Sequence, residues 1–172
     1  MLSFYELAVP GYLRTLKSVC HCLDKAAEHC TATGTDPETL LDARLYEDMA
    51  PLPFQVVSVI HHSANALEGM KSGEFTPPTD KPATTFNGQK DFVLAGMERL
   101  KSLSPEDVNT LDGRDMIFRL GKNELPFTTR DFLLSFSLPN FFFHATTAYD
   151  ILRAKGVPLG KRDYLGELQL RK

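Results

Sequence analysis

The segment LAVPGYLRTLKSVCHCLDKAAEHCTAT, residues 7–33, sets Leu13, Leu16, Cys20, Leu23, Ala27 and Cys30 at intervals of 3, 4, 3, 4 and 3. A helix turns once in about 3.6 residues, so this spacing lines up one apolar stripe. Such a stripe is the packing face of a helix that lies against other helices. Pro10 falls near the start, where a missing N–H matters least, and Gly34 is a natural stop.

The same logic extends outward. Asp36-Pro37-Glu38 reads as an N-cap followed by proline, which predicts a short helical turn over 36–41. Residues 43–54, with Pro51 and Pro53, form an irregular connector. A second helix is predicted over 53–71, with Val56, Ile60, Ala64, Leu67 and Met70 as its stripe. Residues 72–82 are a Pro/Gly loop, and a third helix covers 85–103 through Phe86, Val93, Met97 and Leu100. Residues 116–127, turning at Gly121-Lys122-Asn123, read as a β-hairpin. Thr128 or Thr129 caps a fourth helix running to Arg153, with Pro139 expected to kink it. The charged tail from Lys161 is expected to cover a surface. The whole predicts an all-α single domain over 1–172. It is an antiparallel four-helix bundle with a small hairpin between helices three and four.

Composition narrows the function classes. The 172 residues carry a net charge of -3 from 19 Lys+Arg and 22 Asp+Glu, without a basic run. Phosphate neutralisation needs a basic surface, so nucleic acid is not an expected partner. No apolar run reaches the ~18–20 residues of a membrane span, so no membrane partner is expected. MLSFYELAVP lacks a basic region ahead of an apolar run, and Cys20, Cys22 and Cys30 are odd in number. Both features predict a cytoplasmic protein with reduced thiols. A metal cluster of these cysteines with His21 and His29 is excluded, because Cys20 and Cys22 point about 200° apart around a helix.

Strong catalytic motifs are absent: there is no phosphate loop, nucleophile elbow or His-Glu-x-x-His. What stands out is polar residues on apolar faces. Asn140 and His144 are four apart and project from one side of helix four. His61 and His62 fall on opposite flanks of the stripe of helix two, and periodicity does not choose between them. One of these histidines with Asn140 and His144 could make a three-ligand metal site in a bundle interior. The plainer alternative is a hydrogen-bonded core histidine, with Asn140 serving backbone groups freed by Pro139.

LPNFFFHATTAYDILRAKGVPLGKRDYLG (138–166), YELAVPGYLRTL (5–16), LLDARLYEDMAPLPFQV (40–56) and LGKNELPFT (120–128) together resemble a family of unknown function in the DinB/YfiT-like superfamily. The resemblance implies a bundle in which three histidines hold a divalent metal. One comes from helix two and two from a His-x-x-x-His on helix four, ahead of a Leu-Arg-x-x-Gly ending. That ending is Leu152-Arg153-Ala154-Lys155-Gly156, so His144 matches the second histidine and Asn140 stands where the first belongs. His62, seven residues after Gln55, matches the ligand of helix two. The implied cofactor is zinc or nickel on His62, Asn140 and His144. Superfamily activities include thiol-dependent transfer, thiol-dependent isomerisation and hydrolysis.

Three functions follow as expectations. The first is a metal-assisted enzyme acting on a small molecule, with His62 and His144 as catalytic groups. The second is a metal-free small-molecule pocket using His62 or His144 as acid/base, with a hydroxyl from Tyr5, Tyr12 or Tyr149. The third is an interaction module, a homodimer packed through some of Phe141, Phe142 and Phe143, which point about 100° apart.

Overall fold

The computed structural model describes residues 2–168 and 170. The chain is mostly helical with a small three-stranded sheet. Helix α1 (Phe4–Thr33) starts earlier than its apolar spacing indicates. Ser3 Oγ accepts from the Glu6 amide at 3.2 Å while the Glu6 carboxylate accepts from the Ser3 amide at 2.8 Å, a capping box that satisfies two orphan donors. Gly34, at φ 67°, ends it.

A 3-10 turn (Pro37–Leu40) capped by Asp36 leads through the connector to α2 (Leu52–Ile60). A π-helical turn (His61–Asn65) joins α2 to α3 (Ala66–Ser72). Strand β1 (Glu74–Phe75) follows, then α4 (Phe86–Lys101), capped by Thr85. A short α5 (Pro105–Asn109), capped by Ser104, precedes strands β2 (Asp115–Leu120) and β3 (Asn123–Thr128). The last rod is α6 (Thr129–Phe132), a second π-helical turn (Leu133–Ser137) and α7 (Leu138–Ala154), and α8 (Lys161–Leu165) lies on α1.

Packing follows the stripes. α2 lies along α7, and α1 lies against α4 and α7. Tyr12, Leu16, Leu52, Ile60, Leu100, Leu133, Phe141 and Ile151 are fully buried between them. β2 and β3 pair antiparallel around Gly121-Lys122, with Leu120 opposite Asn123. Two strands alone are marginal. Here β1, unannounced by any long β pattern, pairs parallel to β2. Gly69 permits that docking, since a Cβ there would stand 3.0 Å from the Glu74 carbonyl oxygen. The sheet delivers Phe75, Phe118 and Phe127 to Phe132 and Phe136, an aromatic layer that seals the histidine end of the core.

Cys20, Cys22 and Cys30 are free and buried. Asp163 of α8 accepts from His21 Nε2 at 2.7 Å and Lys25 Nζ at 3.1 Å, which ties the charged tail to α1. Among the described residues no helix is long and apolar enough to cross a membrane.

Candidate functional site

The site is built where the two π-helical turns face each other. A π-turn widens the helix by one residue per turn and frees backbone groups. In the first turn it brings both His61 and His62 inward, 5% and 7% exposed, although a helical wheel sets them on opposite flanks of the stripe. Their rings stand 5.1 Å apart. His61 stacks on Phe75 at 4.4 Å, and neither of its ring nitrogens has a hydrogen-bond partner. Burial holds the His61 pKa below its ordinary value, with the Thr76 backbone and Asp80 opposing that shift. His62 Nδ1 is likewise buried without a partner.

The second π-turn precedes Pro139, which has no N–H to give to the turn before it. Asn140 Nδ2 donates to the Phe136 carbonyl at 2.8 Å, the backbone service considered above. Ser137 Oγ donates to the His62 carbonyl at 2.7 Å and therefore has no proton left for Tyr12, so Tyr12 OH donates to Ser137 Oγ at 2.7 Å. This buried relay ties α1 to both π-turns. It also removes Tyr12 from the candidate hydroxyls, since its proton is committed. Tyr149 packs edge-on to Tyr164 instead.

His144 completes the site. Its ring stacks on that of His62, 5.7 Å between centroids and 8° between planes. His144 Nδ1 lies 2.7 Å from Gln55 Oε1, and Gln55 Nε2 donates to the Ala50 carbonyl at 2.8 Å. Phe54 and Phe143, 38% and 55% exposed, set their edges against His144 at 5.9 and 5.2 Å. Residues 4–165 match the family described as "Domain of unknown function (DUF1993)". The chain belongs to the DUF1993 family. It is similar to a DinB family member protein from Shewanella denitrificans, solved by crystallography. That likeness has a TM-score of 0.83 and 26% sequence identity, covering 98% of this chain and 94% of the other. No curated protein matches the sequence. The DUF1993 chain is thus a DinB-like protein of a family of unknown function.

In this DUF1993 protein, burial sets the protonation of the site. It lowers the His62 pKa from 6.5 to about 3, with His61 and His144 adding to the effect. It lowers His144 to about 4, with a smaller push from His61. Both rings are therefore neutral at pH 7. A histidine held below its unfolded value contributes stability that is present above pH ~6.5 and is lost as pH falls toward the folded value. Acidification from about pH 7 to about pH 5 is expected to cost about 2 kcal/mol per ring. Urea unfolding across that range checks it: the decline should be smaller in His144→Gln by about one ring's share. Stability that stays level would mean the rings are protonated in the folded state.

His62 and His144 offer neutral imidazoles, and Asn140 offers an amide oxygen. Among the described residues no three His, Cys, Asp or Glu are grouped to hold an ion. The two rings lie nearly parallel, 5.7 Å between centroids, and the third position holds an amide whose NH2 is spent on the Phe136 carbonyl. The residues do not fit a three-imidazole centre. Ser137 and Gln55 belong to the site without any motif that marks them in the sequence. No local pattern signals either, because their partners lie 75 and 89 residues away.

Proposed function

We propose that the DUF1993 chain folds as a single antiparallel four-helix-bundle domain whose His62–His144 end is a metal-free acid/base pocket for a small uncharged molecule. The observation that carries this reading is the nearly parallel pair of imidazoles kept neutral by burial, with no carboxylate among the described residues favouring their protonation. A buried site without a counter-charge disfavours an ionic ligand. The partly exposed rings of Phe54 and Phe143 offer its apolar body a rim. His144 accepts the ligand's hydrogen bond and transiently its proton, and His62 is the second acid/base group.

Phenol, an uncharged donor with an apolar body, is the probe, and benzoate is its charged counterpart. Phenol is expected to shift the His62 ring resonances, 5.7 Å from His144, and to lose that effect in His144→Ala, while benzoate does nothing. Equal responses to both, or a response that survives His144→Ala, would sink the reading.

A zinc or nickel ion on His62, Asn140 and His144 is the second reading, favoured by the unpartnered buried His62 Nδ1 and weakened by the amide at Asn140. The proposal includes a homodimer through Phe142 and Phe143, which are 39% and 55% exposed while Phe141 is buried against Tyr12. Light scattering should then give twice the 19.2 kDa chain mass, and the chain mass alone would refute it. The three free buried cysteines support a reducing, cytoplasmic setting. The net charge of -3 supports neither nucleic acid nor an anionic membrane as partner.

A further inference from the structure

We infer that Gln55 is a positioning residue that holds His144 in the Nδ1–H tautomer and leaves Nε2 as its free acceptor. The inference rests on the proposed pocket for its functional meaning, and on geometry alone for the tautomer.

Ala50 lies just ahead of the Pro51-Leu52-Pro53 entry into α2. A backbone carbonyl can only accept, so the Gln55 atom 2.8 Å from it must be the NH2 group. That fixes the amide, and the other terminal atom, Oε1, is the one facing His144. Oε1 can only accept as well. The His144 nitrogen 2.7 Å from it must therefore carry the ring proton, since two lone pairs at that distance would repel. A neutral imidazole has one N–H, so Nε2 bears the lone pair. Gln55 is 2% exposed, so its amide is held between these two partners inside the fold. The direction of the chain of bonds is thus set by a proline-flanked carbonyl and passed through one amide to the ring. Carbonyl acceptors fix the tautomer and orientation of metal-ligating histidines in the same way.

Long-range 1H–15N spectra of the whole 15N-labelled chain read the tautomer directly. The unsubstituted chain is expected to show a pyrrole-type Nδ1 and a pyridine-type Nε2 for His144. Gln55→Leu keeps the bulk and removes both polar atoms, and should move the tautomer ratio about tenfold toward Nε2–H. Gln55→Glu, whose carboxylate also accepts, should return it to Nδ1–H. A pyridine-type Nδ1 in the unsubstituted chain overturns the assignment, and so does an unchanged ratio in folded Gln55→Leu. Should Gln55→Leu not fold, the unsubstituted spectrum still decides. Phenol titration separates this inference from the pocket reading. Nδ1–H without a phenol response keeps the role of Gln55 and removes the ligand, whereas a phenol response on an Nε2–H ring does the reverse.

Discussion

Asn140→His is expected to give the protein a divalent-metal affinity at least about 100-fold above that of the unsubstituted chain. Asn140 lies one helical turn before His144 on α7, and the His62 ring stands 5.7 Å from the His144 ring. A third imidazole at 140 therefore joins two that are already neutral, which is the protonation state a metal needs. Even an outer-shell partner of a metal ligand is commonly worth 10–100-fold in affinity, and a first ligand is worth more. The substitution removes the bond from Asn140 to the Phe136 carbonyl, at a cost of about 1 kcal/mol. Saturating zinc should more than offset that, since ligand at about 100 times its dissociation constant stabilises by about 2.7 kcal/mol. Calorimetric titration with zinc and nickel, alongside thermal melts, checks both numbers. An Asn140→His chain that binds no better than its parent would mean that positions 62, 140 and 144 do not converge.

The second large effect is expected at Ser137. Ser137→Ala should destabilise the fold by about 2–4 kcal/mol, because it strands two buried groups, the His62 carbonyl and the Tyr12 hydroxyl. Tyr12→Phe should cost only about 1 kcal/mol. It leaves Ser137 still donating to the His62 carbonyl and keeps the edge contact of the ring with Phe141 at 4.8 Å. Adding Tyr12→Phe to Ser137→Ala should then recover part of the loss, since the stranded hydroxyl is gone. A urea double-mutant cycle measures the coupling. Tyr12→Phe costing as much as Ser137→Ala, or strictly additive losses, would show that the relay does not run from Tyr12 through Ser137 to the carbonyl.

Both predictions concern links between rods, and those links divide what was legible in the sequence from what was not. The stripe from Leu13 to Cys30 announces its helix because a 3/4 spacing on one chain segment already defines a face. Thr85, Thr128 and the Asp36-Pro37 pair mark helix starts because a cap is made within three residues. Asn140 and His144 share a side for the same local reason. The Ser3–Glu6 box was equally local and equally readable, although the apolar stripe alone starts the helix later.

Other features have no local cause. Leu133–Ser137 is π-helical although Pro139 alone would permit a simple kink. Part of what holds the widened turns together is Ser137, bonded to a carbonyl 75 residues earlier. His61 and His62 both face inward because the turn that carries them is widened, which a wheel drawn at about 3.6 residues per turn cannot show. Strand β1, only Glu74–Phe75, exists because β2 gives it a partner. The tautomer of His144 depends on Gln55, 89 residues away. A sequence by itself determines what neighbours within a turn or two can decide through spacing, caps and turn residues. Tertiary structure decides where each freed carbonyl and each ring nitrogen finds its partner, because a buried polar group is satisfied by whatever the packed fold brings to it.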